Sequence, residues 1–337
     1  MTKTAVVILN YNGEEFLRKF LPSVVKHSAS ADVIVADNGS TDRSLEVLRK
    51  EFPTVTVIEF DTNYGFCGGY NRALATINAS YYVLLNSDIE VTPGWIEPVI
   101  NLLDTHADID AVQPKILSYH HKHEFEYAGA AGGFIDTLGY PYCRGRIFTR
   151  IEQDVGQYND ERQIFWATGA CLFIRAKTYH QFGGLDESFF AHMEEIDLCW
   201  KINRTAQKVY YCGKSVVYHV GAGTLGYGHP RKTYLNFRNG LVLIYKHFDR
   251  TELVYKFPAR LLLDWLAALI YLVKGQWKHT IAVLKAHVHF FQRLSENRSR
   301  RRALRKDYPT YSRRCIHRGL IIVDYYLKRN KTFSNPR

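Results

Sequence analysis

Short apolar runs recur along the first hundred residues, at 5–9, 33–36, 55–60 and 81–85. Each is too short for a helix and is bounded by polar turn-formers, as a buried strand is. Between them, helical spacing of apolar positions marks 14–26, 44–51, 71–77 and 95–104. Strands alternating with helices imply an α/β fold, a mainly parallel sheet covered on both faces. From about Val112 the pattern turns irregular, and apolar runs return at 170–174 and 208–211. His120, His121 and His123 read as a solvated polar loop rather than a metal site.

Residues 253–294 differ in kind. Lys256, Arg260 and Asp264 fall at spacing four, Lys274 and Lys278 repeat it, and large apolar residues fill the other turns. The longest uncharged stretch, 265–273, is nine residues, well short of the roughly 20 that span a bilayer. The segment reads as an interfacial amphipathic helix with an apolar face and a Lys/Arg face. The basic run from Arg298 to Lys306 adds roughly 1 kcal/mol per residue near anionic headgroups.

Charge supports the same division. Residues 231–337 carry 24 Lys/Arg against 6 Asp/Glu, a net of +18, whereas residues 1–230 carry 20 against 27, a net of −7. An acidic body with a basic tail argues against a nucleic-acid enzyme, whose working face is itself basic. It suits a body that recruits cations and a tail that meets an anionic membrane. We therefore expect a catalytic domain over 1–228 and a basic, amphipathic helical region over 229–337. The apolar run at 5–9 is too short for a signal peptide, and the six cysteines lack CxxC spacing. A cytoplasmic protein with free thiols is expected, peripheral to the inner face of the membrane.

Six segments carry candidate chemistry. Asn86-Ser87-Asp88-Ile89-Glu90 follows the run at 81–85, at the carboxyl end of a strand where open α/β sheets bind ligands. Asp88 and Glu90 suit a hard divalent cation that keeps several waters and binds a diphosphate. Asp37, at the end of 33–36, can accept a hydrogen bond from an imide N–H of uracil or thymine, while Ser40 or Thr41 can cap the next helix. Asn63 to Arg72 is glycine-rich but matches neither GxGxxG nor the P-loop. Backbone N–H groups at the following helix, with Arg72, can still hold an anion. Glu194, Glu195 and Asp197 open a helix, and one of them can act as a general base if it faces a pocket. His219-Val-Gly221-Ala-Gly223 places a histidine after an apolar stretch, and Trp166 can stack on a sugar or fill the core.

Taken in order, these segments closely resemble the inverting family 2 glycosyltransferases of the GT-A fold, and among them the bacterial rhamnosyltransferase-like branch. The matching stretches are Val7–Asn12, Asp37–Asp42, Asn63–Asn71, Leu85–Glu90, Glu194–Trp200 and His219. They span residues 5 to about 225, roughly two-thirds of the chain. The resemblance implies a GT-A nucleotide-diphospho-sugar fold with a helical C-terminal extension. It implies a metal-dependent hexosyltransferase using Mg2+ or Mn2+, held by Asp88, Glu90 and His219. It further implies that Asp37 meets the nucleotide base with Asn10 and Asn12 beside it. Asn38, Asn63, Gly65, Gly69, Asn71, Arg72, Asn86, Ser87 and Trp166 complete the implied donor site. Glu195 matches the general base. The commoner family pattern there is Glu-Asp, so Glu194 and Asp197 remain candidates for the same proton. The implied partners are a nucleoside-diphosphate sugar, a glycan or lipid-linked acceptor in surface polysaccharide synthesis, and a membrane surface, but no nucleic acid.

The competing reading is an inactive, membrane-associated sugar-nucleotide-binding protein, against which the intact acidic set at 88, 90, 195 and 197 argues. A nucleotidyltransferase needs a basic, glycine-rich N-terminal phosphate loop, and Asn10–Glu15 is acidic instead.

Overall fold

The computed structural model describes residues 2–221 and 228–333, so Gly223 lies outside the described residues. Alternating strands and helices open the chain: β1 (Thr2–Asn10), α1 (Glu14–His27), β2 (Asp32–Asp37), α2 (Ser44–Glu51), β3 (Thr56–Glu59) and α3 (Gly65–Thr76). They continue as β4 (Ala79–Asn86), β5 (Ile89–Val91), α4 (Glu97–Thr105) and β6 (Ile109–Ser118). Short strands follow, β7 (Gly133–Asp136), β8 (Pro141–Cys143), β9 (Arg146–Ile147), β10 (Arg150–Ile151) and β11 (Glu161–Ile164). Then come β12 (Cys171–Arg175), α5 (Ala176–Gln181), α6 (Glu194–Asn203) and β13 (Lys208–His219). The main sheet runs β11-β13-β6-β12-β4-β1-β2-β3, with β5 paired to β13. β1, β2, β3 and β4 are mutually parallel, and β12 runs antiparallel between β4 and β6. All of Tyr82 to Leu85 is buried, as expected of a central strand covered on both faces.

The elements depart from the sequence reading in two places. α3 starts at Gly65 rather than 71, after a turn in which the Asn63 side chain accepts the Gly65 N–H at 2.8 Å. β6 is buried almost throughout although Asp110, Gln113, Pro114 and Lys115 break its apolar pattern. Gln113 bonds the Gly129 carbonyl at 2.9 Å and Lys115 pairs with Asp154 at 2.7 Å. Partners supplied from distant loops make those buried polar groups tolerable.

The C-terminal region is α7 (Pro230–His247), α8 (Arg250–Val273), α9 (Trp277–Gln292), α10 (Leu294–Asp307), β14 (Ile316–His317) and α11 (Ile321–Tyr326). β14 adds in parallel to β7, at the edge of a small sheet ordered β10-β9-β8-β7-β14. The amphipathic segment is a hairpin of two helices turning at Gly275, and its faces are reversed from expectation. Lys256, Arg260 and Asp264 are buried against the body, while Leu262, Leu266 and Leu269 are exposed. Intrahelical pairing explains how the charged face goes inward: Lys256 bonds Glu252 at 2.7 Å and Arg260 bonds Asp264 at 2.9 Å. Among the described residues no helix is long and apolar enough to cross a membrane.

Candidate active site

The parallel register brings Asn10 opposite Asp37 at the carboxyl ends of β1 and β2. Asn10 donates to Asp37 at 2.9 Å, and the Ser40 N–H donates to its other oxygen at 2.9 Å. The Asn12 side-chain oxygen accepts the Thr41 N–H at 2.7 Å, so the two loops are tied together. Asn38 donates to Asn63 at 3.0 Å and to the Gly65 carbonyl at 3.1 Å, joining this end to α3. Gly69 allows that approach, since a Cβ there would lie 2.6 Å from Leu9 and 3.1 Å from Asn38. A Cβ on Gly13 would lie 2.3 Å from Asn10 and 3.8 Å from Ser87, so the Asp37 end adjoins the β4–β5 turn.

Asp88 occupies that turn. Its Oδ1 is 3.1 Å from His219 Nε2 at the end of β13, and Glu126 approaches the other ring nitrogen at 3.5 Å. All three side chains are buried. Burial opposes charge on the imidazole, but Asp88 and Glu126 outweigh it and push His219 up to about 10. Glu90 is elsewhere: opposite Tyr218 in the β5–β13 register, with its carboxylate bonded to Lys122. His219 as it stands is an imidazolium held in an ion pair between two carboxylates, and its Nε2 becomes available to a cation only once its proton is displaced. Asp88 and, once deprotonated, His219 are the side chains that could hold a divalent cation here. No group of three His, Cys, Asp or Glu side chains among the described residues forms a ready-made cage.

Glu194 and Glu195 begin α6, after a loop with positive φ at Phe190 (67°), His192 (69°) and Met193 (77°). Such conformations cost energy in non-glycine residues and persist only where neighbours hold them. α7 is the holder. Asn239 donates to the carbonyls of Ala191 at 2.8 Å and His192 at 2.7 Å, and Arg238 to that of Phe189 at 2.7 Å. Glu194 is buried and its carboxyl is raised well above the usual range, by burial first and then by Glu195. Glu195 is partly open and burial pushes it up to about 7. Its Oε2 has no hydrogen-bond partner among the described residues. Asp197 behaves oppositely. Burial would raise it, yet Lys246, Lys201 and His247 hold it well below the usual carboxylate range. It is fully buried and bonded to His247 at 2.8 Å and Lys246 at 2.9 Å. Asp197 is thus an anchor rather than a proton acceptor.

A short chain of contacts links the Asp88 end to the Glu195 end. The Asn86 N–H bonds the Ala170 carbonyl at 2.9 Å, and the Asn86 amide lies 3.4 Å from His219 Nε2. A Cβ on the neighbouring Gly169 would lie 3.9 Å from the Glu195 Cβ and 3.2 Å from Phe66. A side chain there would be tight against Phe66 and in ordinary contact with the stem of Glu195.

The sequence model of Glycosyl transferase family 2 matches residues 5–180, more than half of the chain. This chain belongs to glycosyl transferase family 2. It is similar to the N-acetylglucosaminyl-diphospho-decaprenol L-rhamnosyltransferase of Mycobacterium tuberculosis H37Rv, 24% identical over 253 residues that cover 68% of this chain and 82% of that protein. It is similar also to the low-salt glycan biosynthesis hexosyltransferase Agl10 of Haloferax volcanii, 22% identical over 74% of this chain and 78% of that one. Among solved structures, GalNAc-T7 with UDP, GalNAc and Mn2+ aligns with a TM-score of 0.61 at 14% identity. That match covers 93% of this chain and just over half, 55%, of the other. The mannosyltransferase PcManGT of Pyrobaculum calidifontis, in complex with GDP-Man and Mn2+, aligns at 0.53 with 12% identity, over 86% and 87% of the two chains. These likenesses establish the GT-A fold.

Within the family 2 framework, several expected donor residues are occupied by the protein itself. Asn71 bonds both the N–H and the carbonyl of Leu185, at 3.0 and 2.9 Å. Arg72 pairs with Glu187 at 3.3 Å. Trp166 is in the core: its indole N–H donates to the Phe134 carbonyl at 3.0 Å and its ring lies against Gly133. The stacking alternative for Trp166 is therefore set aside. Sequence reasoning missed Glu126, which lies in the stretch that read as irregular, and the α7 clamp. Lys246 and His247 end a helix, where basic residues are ordinary complements of the dipole.

Proposed function

We propose that this family 2 glycosyltransferase moves a sugar from a nucleoside-diphosphate sugar to a hydroxyl of a glycan or lipid-linked acceptor, with inversion. The donor is of the dTDP-rhamnose or UDP-hexose type, and the reaction serves surface polysaccharide synthesis. Glu195 carries the reading: a carboxyl with one buried, unpartnered oxygen, pushed up to about 7, linked through Gly169, Ala170 and Asn86 to His219. A base poised near neutrality is suited to general base catalysis.

Asp37 accepts the imide N–H of the base, with Asn10 and Ser40 fixing its two oxygens. Asp88 and His219 would hold a divalent cation, Mg2+ or Mn2+, which when bound neutralises charge growing on the leaving diphosphate. Glu195 removes the proton from the acceptor hydroxyl as its oxygen attacks the anomeric carbon and the bond to diphosphate breaks. One base acting on the acceptor gives a single in-line displacement, hence inversion.

A lipid-linked acceptor is supported by the mycobacterial relative, whose name specifies a diphospho-decaprenol-linked sugar. It accords with a division in which residues 1–228 perform the chemistry and 229–337 meet the inner face of the membrane, with α7 serving both. The test is a panel of sugar nucleotides with Mn2+, run on the wild type and Glu195→Gln. The variant should lose transfer while its nucleotide-dependent thermal shift remains. Transfer at a normal rate by Glu195→Gln would remove the assignment.

A further inference from the structure

The α8–α9 hairpin is built inside out. The charged groups along one face of α8 are internal: Asp264 receives Arg260 at 2.9 Å, Tyr140 at 3.2 Å and His287 at 3.3 Å. A Cβ on Gly240 of α7 would meet Arg260 at 2.8 Å, so a glycine makes space for the guanidinium. The large apolar groups are external. Fourteen of the twenty exposed large apolar side chains among the described residues lie between Val254 and Phe291. Leu262, Leu266 and Leu269 follow one stripe of α8, and Ile281, Leu284 and Val288 one stripe of α9. Scattered exposed apolar residues need no explanation, but two continuous stripes on adjacent helices mark a docking face.

Charge selects the occupant. Between Asp264 and Glu296 the chain has no acidic residue, while Lys274, Lys278, Lys285 and Arg293 are all exposed. A second copy would set these cations against its own, whereas an anionic leaflet complements them. Trp265 and Trp277 are both about half exposed, at 54% and 55%. Trp265 is additionally fixed by an indole hydrogen bond to His287 at 3.0 Å. Tryptophans at such an edge favour the headgroup level of a membrane. The hairpin tip also packs on the start of α7. His279 bonds Thr233 in the first turn of α7 at 2.8 Å.

We infer that the outer face of α8–α9 seats in the headgroup–acyl boundary of an anionic bilayer and brings the site to its lipid-linked acceptor. Apolar burial, rather than the basic run after Arg298, holds the protein there. The acceptor clause rests on the proposed function, but the docking does not.

Full-length protein floated with phosphatidylcholine vesicles containing 30% phosphatidylglycerol tests it. Wild type should co-float, keep most of that binding in 1 M NaCl, and lose it more than tenfold in Leu266→Glu/Leu269→Glu/Leu284→Glu. That triple variant should keep wild-type donor hydrolysis and melting temperature, because all three side chains are exposed. As a measurement on the unaltered chain, brominated lipid should quench tryptophan fluorescence. Trp95, Trp166 and Trp200 are buried in the body, so quenching reports Trp265 and Trp277. No flotation by wild type, release of all binding by salt, no quenching, or a dimer that the triple variant makes monomeric would each overturn the inference. Flotation by a protein without transferase activity would sink the proposed function and leave this docking standing.

Discussion

Asp197 on α6 and Lys246 on α7 form an ion pair of 2.8 Å with both side chains buried. Lys246 also reaches Asp186 at 2.8 Å, so one ammonium ties α6 to the loop before it. Removing a partner from a buried pair strands a charge in low dielectric. Lys246→Met should therefore cost about 3–5 kcal/mol by chemical denaturation. A loss below about 1 kcal/mol would mean that α7 does not anchor α6.

Glu195 should oppose stability while serving catalysis. Its carboxyl is raised in the folded protein from 4.5 to about 7. The stability contribution of the protonated acid is thus complete below about pH 4.5 and is lost as pH rises through about 7. Glu195→Gln removes that loss, so at pH 8 it should be more stable than wild type by on the order of 2–3 kcal/mol, and no more stable at pH 4. Melting curves at the two pH values decide the matter. Equal stability at pH 8 would show that this carboxylate is not desolvated.

The same protonation sets the rate. If Glu195 must be ionised to accept the acceptor proton, kcat/KM should rise with pH through about 7. One pH unit below that midpoint it should sit about tenfold under its plateau. A profile flat between pH 5.5 and 8 would exclude this base.

The parallel half of the fold was readable because its strands are continuous apolar runs, which water exclusion alone specifies. Asp37, Asp88 and Glu195 could be singled out because they end strands or open a helix in a sheet whose ligands lie at the strands' carboxyl ends. What stayed hidden depends on distant partners. Lys115 reads as a loop residue until Asp154 is placed 2.7 Å away. Asp197 reads as a catalytic candidate until Lys246, 49 residues later, neutralises it. Lys256, Arg260 and Asp264 read as a wet face because spacing reports a stripe but not which side of it meets the body. Periodicity gives faces; only packing assigns them.

Glu126 and Glu90 separate what the sequence suggested from what the fold assembled. Spacing from Asp88 favoured Glu90 for the cation, yet its carboxylate bonds Lys122, away from His219. Glu126 approaches His219 Nδ1 at 3.5 Å while Nε2 faces Asp88. A carboxylate behind a ligating histidine fixes its tautomer and raises its basicity, and losing such a partner weakens metal binding by about 10–100-fold. Calorimetry of Mn2+ with a nucleoside diphosphate should therefore show Glu126→Gln weakened by that range, with Glu90→Gln within about twofold of wild type. Both variants should retain metal-free melting temperatures within a few degrees. The reverse ranking would return Glu90 to the metal shell and leave Glu126 as a buried counter-ion of His219.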